Sequence, residues 1–194
     1  MVWRLSDKLH SWTYNGINTL IPNGVLQGLL GYAYSCPDMI GGGDYLDFSK
    51  TKGKLDEELF VRYAQCAALF PMMQFSAAPW DILTEENARL CKDAAKTHEK
   101  LGEYIIALSE NAAQTGEPII RHMAYKFPDE DFELVNDQFM LGGKYLVAPV
   151  VVKGQTQKTV KLPKGSWNYN GEIIVGGRSI SIPAPLGQLI CLER

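Results

Sequence analysis

The hydrophobic period of this chain changes partway along it, and that change limits the fold more than any other feature. Up to Gly116 apolar residues recur at helical spacing between short apolar runs, whereas beyond Pro118 they alternate or run on continuously. A period of 3.6 buries one stripe of a helix and a period of 2 buries one face of a sheet. Small and aliphatic residues over 12–30 predict a helix, which Gly31 separates from a short buried strand at 32–36. Leu55, Leu59, Tyr63, Cys66 and Phe70 form a stripe at i+3 or i+4 that Pro71 ends, and 72–77 is a second short apolar run. Ala88, Cys91, Ala95, His98, Leu101, Ile105, Leu108 and Ala112 predict one long amphipathic helix over 85–114. Glu85 and Glu86 favour its first turn, and Gly116 with Pro118 closes it.

Strand, helix, strand, helix is the grammar of a parallel sheet covered by helices, with functional groups on the loops after the strands' carboxyl ends. The second half reads as all-β. Residues 145–152 are nearly all apolar, 158–162 alternate, and 179–182 alternate strictly. Asn170 and Gly171 signal a two-residue hairpin, and Gly142-Gly143 and Gly176-Gly177 mark further turns. The expected division is 1–116 and 117–194. A first part of 116 residues holds about two strand-helix units, while a closed barrel of eight needs roughly 250 residues. Either a small open sheet or the tail of a larger enzyme is expected.

Charge and ligand spacing exclude several functions. With 194 residues, a net charge of -3 and no basic cluster, the chain offers nothing to a phosphate backbone, so no nucleic-acid partner is expected. Residues 9–37 and 63–80 carry no charge, but Pro22, three asparagines and four glycines interrupt the first, and Gln65, Pro71 and Gln74 the second. Both read as buried interior rather than membrane spans. Cys36, Cys66, Cys91 and Cys191 and the three histidines are scattered without metal-ligand spacing, so no metal is expected and the cysteines read as buried free thiols. Arg4 and Asp7 follow Met1 with no apolar leader, which leaves an intracellular protein or a true N-terminus upstream as the alternatives.

The remaining candidates are carboxylates beside aromatic residues, a combination that suits sugars. Asp7 precedes the long uncharged stretch, where a carboxyl near apolar surface holds its proton toward neutral pH; the alternative is a helix cap or a surface charge paired with Lys8. Asp38 ends a buried strand, so it binds something or caps a turn. Trp12 and Trp80 either stack on a sugar ring or pack in a core. Arg62, inside an apolar helix, reads as half of an internal ion pair. The run of glycines at 41–43 lacks the following Lys-Ser/Thr of a phosphate loop.

Taken together, the run from Arg4 through Trp12 and the segments GLLGYAYSCPDMIGGG (28–43), ELFVRYAQCAALFPMMQFSAAPW (58–80), GEPIIRHMAYKFPDED (116–131) and GGKYLVAPVVVKG (142–154) resemble glycoside hydrolase family 31, and within it the myogenesis-regulating glycosidase branch. The resemblance implies the C-terminal part of a (β/α)8 TIM barrel over 1–116, holding strands seven and eight with their helices, and a β-sandwich domain over 117–194. It places Asp7 at the catalytic acid/base after the sixth strand and Asp38 at the sugar-binding aspartate after the seventh. Where much of the family has a substrate-binding histidine after the eighth strand, this sequence has Phe75-Ser76, which leaves the sugar open between α-glucosidase and α-galactosidase types. The family's nucleophilic aspartate would lie upstream of Met1, unless Asp38 or Asp44 attacks in its place. No cofactor is implied. The implied partners are an oligosaccharide or glycoside substrate and an N-terminal part of the same polypeptide, and the branch suggests a secretory-pathway or membrane-anchored full-length form. A non-catalytic fragment binding carbohydrate or a partner chain is the competing expectation.

Overall fold

Parallel strands organise the first half of the computed structural model, which describes residues 2–4, 7–44 and 55–194. Val2–Arg4 (β1) pairs in parallel with Tyr34–Cys36 (β2), Val2 lying opposite Tyr34 and Arg4 opposite Cys36. Parallel neighbours need a long crossover, and here it is a 3-10 turn at Ile17–Thr19 running into the helix Leu20–Leu29 (α1). The expected helix over 12–30 therefore begins late. Gly16 permits the tight approach of the chain to Ser11, where a Cβ would stand 1.9 Å from a carbonyl oxygen, and Asn15 takes a left-handed φ of 46°. A third parallel contact follows at the single bridge between Ile40 and Phe75, where the Ile40 amide donates to the Gln74 carbonyl at 2.7 Å and the Ser76 amide to the Ile40 carbonyl at 3.0 Å.

Glu57–Ala67 (α2) begins at Asp56, whose carboxylate accepts from the Leu59 amide at 3.2 Å, with Glu57 and Glu58 favouring the first turn. Every residue from Leu59 to Ala67 is buried, as in a helix enclosed on all sides. A short helix Pro79–Ile82 (α3) precedes Glu85–Lys100 (α4) and Gly102–Thr115 (α5). The single long helix expected over 85–114 is thus two, broken where Leu101 caps α4 and Gly102 opens α5. Gly116, at φ 77°, ends α5.

The remaining strands are antiparallel. Ile120–Arg121 (β3), a one-turn helix Met123–Lys126 (α6), Phe139–Leu141 (β4), Tyr145–Val147 (β5), Gln157–Leu162 (β6), Ser166–Tyr169 (β7), Glu172–Val175 (β8), Arg178–Pro183 (β9) and Cys191–Glu193 (β10) follow in sequence. Six of them form one sheet in the order β3-β4-β5-β10-β7-β8, and β6 pairs with β9 in a second. The predicted hairpin at Asn170-Gly171 joins β7 to β8, with φ of 53° and 89° as a type I′ turn requires. The alternation of 158–162 and 179–182 is that of β6 and β9, which pair in full register from Gln157 opposite Pro183 to Leu162 opposite Arg178. Both sheets contribute to one core of Met140, Leu146, Val160, Leu162, Trp167, Ile182 and Leu192, so they pack face to face.

A larger core joins α1, α2 and α4 to Phe139, Leu141, Val147 and Val151 of the sheet half. At this seam the expected ion pair of Arg62 is replaced by a different arrangement. Its guanidinium, 2% exposed, donates to the carbonyls of Ala184, Pro185 and Gln155 and to the Gln65 side chain, and Gln65 in turn donates to the Leu186 carbonyl. An arginine fork can satisfy several carbonyls at a chain crossing, which a carboxylate partner would leave unpaired. Cys36, Cys66 and Cys91 are buried free thiols, as expected, and Cys191 is half-buried. The polar loop expected to reach Lys54 lies, over 45–54, outside the described residues.

Candidate functional site

Asp7 follows β1 and Asp38 follows β2, so both stand at the carboxyl-terminal edge of parallel neighbours. Their loops are joined directly, because the Lys8 amide donates to Asp38 Oδ2 at 2.7 Å. Asp38 is fully buried and holds a φ of 83°, a conformation that aspartate tolerates better than most residues. Asp7 is exposed at this edge.

The glycine run at 41–43 explains how the loops meet. The Gly43 amide donates to the Lys8 carbonyl at 2.9 Å, and a Cβ on Gly42, which has φ 74°, would stand 2.2 Å from that same oxygen. Gly43 lies against Asp7, its Cβ position 3.9 Å from the carboxyl carbon. These glycines admit the Asp7 loop to the Asp38 turn. The side chain of Asp44 lies outside the described residues.

Lys8 and Asn15 are site residues that sequence reasoning missed. Asn15 Nδ2 donates to the Asp7 carbonyl at 2.9 Å, its Oδ1 accepts from Lys8 Nζ at 3.2 Å, and its own carbonyl accepts from the Leu9 amide at 3.0 Å. The loop is closed on itself by one asparagine. Lys8 is 1% exposed; burial pulls its pKa down, while the negative charge of Asp38 opposes that pull.

Ser76 comes to the same region through the Ile40–Phe75 bridge, its hydroxyl donating to the Ile40 carbonyl at 2.6 Å. The two tryptophans are not equivalent. Trp12 is half-buried against the larger core with its indole N–H on Asp56 Oδ2 at 2.9 Å, whereas Trp80 is 77% exposed on α3. Phe75, Ser76 and Trp80 line one wall of a cavity of about 1140 Å³, and Glu85, Arg89 and Cys91 of α4 line the other. Trp80 therefore belongs to this cavity, and Trp12 to the framework behind the Asp7 loop.

Asp56 is the hub of that framework. One oxygen accepts from both Trp12 and Lys153 Nζ, the latter at 2.7 Å, and the other caps α2. Burial acts to raise its pKa, but the bonds from Lys153, Trp12 and the Leu59 amide outweigh it and hold the carboxyl below its usual range. Glu57 is likewise held low against burial, by Asn87 and Thr84. Among the described residues no group of three or more His, Cys, Asp or Glu side chains is placed to hold a metal, and no helix is long and apolar enough to cross a membrane.

A family model described as the glycosyl hydrolase family 31 C-terminal domain matches residues 116–192. Myogenesis-regulating glycosidase of Mus musculus is 36% identical over 88% of this chain and 25% of its own length. A probable glucan 1,3-alpha-glucosidase of Arabidopsis thaliana is 33% identical over 95% of the chain and 20% of its own length. The chain thus spans a quarter or less of these curated relatives. The cycloalternan-forming enzyme of Listeria monocytogenes, solved with a pentasaccharide substrate, superposes over 100% of this chain and 19% of its own, with a TM-score of 0.88 and 26% identity. A family 31 dextranase of Flavobacterium johnsoniae, solved with isomaltotriose, gives a TM-score of 0.84 at 26% identity over 100% of this chain and 25% of its own. Sequence, domain model and superposition agree, and the chain belongs to glycoside hydrolase family 31, most like its myogenesis-regulating glycosidase branch.

Proposed function

We propose that this chain is the C-terminal portion of a retaining α-glycosidase, of α-glucosidase or α-galactosidase type, that hydrolyses O-glycosyl bonds. The observation that carries the reading is the Lys8 amide on the Asp38 carboxylate, which draws together two acidic loops at one edge of a parallel pair. That edge is where barrel enzymes assemble their sites. In this reading 1–116 is the end of a (β/α)8 barrel and 117–194 is its β-sandwich.

Asp7 protonates the departing glycosidic oxygen and then, as carboxylate, takes a proton from the water that resolves the covalent intermediate. Its exposure fits a group that must exchange protons with substrate and water. Asp38 accepts hydrogen bonds from sugar hydroxyls, while Ser76 and Trp80 line the cavity against α4, Trp80 offering an aromatic face. Trp12 supports the Asp7 loop from behind. A retaining mechanism needs a second carboxyl about 5–5.5 Å from the first, and in this reading an upstream part of the same polypeptide provides it.

The test is hydrolysis of p-nitrophenyl α-galactoside and α-glucoside by the purified chain and by its Asp7→Asn variant. No turnover by either protein is expected. Turnover that Asp7→Asn abolishes would place the nucleophile within these 194 residues and overturn the assignment of that role to an upstream part.

A further inference from the structure

The bonds around Asp56 connect three distant parts of the chain. Trp12 belongs to the Asp7 loop, Asp56 caps α2, and Lys153 lies in the segment between β5 and β6. His10 adds a fourth contact, its Nε2 3.2 Å from the Asp56 carbonyl. One residue after Lys153, the Gly154 amide donates to Glu58 Oε1 at 2.9 Å, so the lysine is delivered by backbone that is itself fixed on α2. The Asp56 carboxylate is only 26% exposed while the Lys153 side chain is 65% exposed, which leaves the lysine a counter-charge reaching inward from solvent.

We infer that Asp56 is a positioning residue for the Asp7 loop and that Lys153, from the β-rich half, sets its strength, so that the sheet half holds the proposed proton donor in place. Bonds at both ends hold the loop. Asn15 closes it on itself at the Asp7 end, and Trp12 carries it to Asp56 at the other. Without the Asp56 carboxylate, the indole N–H of Trp12 loses its acceptor, while the loop keeps its internal bonds, the Lys8 amide on Asp38 and the Gly43 amide on the Lys8 carbonyl. Without Lys153, Asp56 becomes an acidic group with one fewer donor, and the cross-chain strap opens. The inference takes the role of Asp7 from the proposed function, but the strap itself is a property of these residues alone.

Hydrogen–deuterium exchange of the full chain, read by mass spectrometry, tests the strap without turnover. Lys153→Met removes the lysine's bond to Asp56 Oδ2 and leaves the Asp56 Oδ1 that caps α2, and the core residues, in place. It is expected to speed exchange in peptides covering 7–17 by about fivefold, the size of one partly exposed ion pair, while α4 and the β6–β9 hairpin keep the wild-type rate. Lys153→Arg, which retains the charge, is expected to restore most of the protection. Asp56→Asn keeps a side-chain oxygen acceptor and is expected to act in the same direction as Lys153→Met, with added opening at the first turn of α2. Unchanged exchange over 7–17 in Lys153→Met would overturn the inference, as would faster exchange spread evenly over the whole chain. A failure of Asp7 as proton donor would leave these exchange patterns intact and would appear only in turnover.

Discussion

Asp38 combines a left-handed backbone with a buried carboxylate, and each makes its own demand on the residue placed there. Asp38→Ala adds the strain of a positive φ and leaves the Lys8 amide without its acceptor, together about 2–4 kcal/mol. Asp38→Asn keeps both an acceptor and a residue that tolerates the conformation, so its loss should be smaller; thermal unfolding of the two variants gives the order. A second prediction concerns acid. Asp56 and Glu57 have folded pKa values below their unfolded ones, so their stabilisation is complete above the unfolded carboxylate range near about 4 and is lost as pH falls through the folded values. The urea midpoint should therefore hold steady from neutral pH down to about 5 and decline below about 4, with Asp56→Asn showing the shallower decline. Burial pushes the Cys66 and Cys91 thiols up to about 12. Iodoacetamide at pH 8 should leave both unmodified in the folded chain and label them in urea, as peptide mass mapping would read.

Among the elements, α4 and α5 show what a sequence pattern can hide. The apolar stripe continues unbroken from Ala88 to Ala112, yet the chain turns at Leu101, and the only local signal is Gly102. A stripe at i+3 and i+4 records which side faces the core and is indifferent to a bend that keeps that side inward. Nothing lies within 4 Å of a Cβ placed on Gly102, and its φ is not left-handed. Gly102→Ala should thus raise stability by about 0.4–1 kcal/mol through the unfolded chain, seen as a higher melting temperature with no change in circular dichroism shape. The strands of the second half were legible because period 2 and a two-residue turn signal act locally, as β6, β9 and the Asn170-Gly171 hairpin illustrate. β1 was not, since three residues near the chain start carry no period of their own. The bond of Asp56 to Trp12, 44 positions away, leaves no trace in either neighbourhood.

At the scale of the whole molecule, the parallel layer is unfinished. Among the described residues, β1 pairs only with β2, and Phe75 is joined through one bridge. On the last turns of α1, Leu26, Leu29 and Leu30 share one helix face and are 54%, 53% and 66% exposed. Open parallel edges and apolar helix faces favour association. The purified chain should sediment as a concentration-dependent oligomer, and a monomer with sharply cooperative unfolding would contradict this. Asp38 was marked locally because it follows the short apolar run that becomes β2, whereas Asp7 follows β1, which carries no period, and stood out only as a carboxylate before a long uncharged stretch and by the family resemblance. Lys8 and Asn15 escaped because their work is done by bonds across a loop whose closure no periodicity reports.

Arg62 has a further consequence in time. Its carbonyl partners at Ala184 and Pro185 lie 122 and 123 positions later in the chain. At a synthesis rate of about 5–20 residues per second, those partners follow the arginine by roughly 6–24 s. Throughout that interval α2 would have to bury an ionised guanidinium with no acceptors for most of its donors, so the helix layer gains nothing by closing early. The nascent first half should stay open, and therefore exposed to chaperones, until the last strands emerge from the ribosome and the arginine can be satisfied.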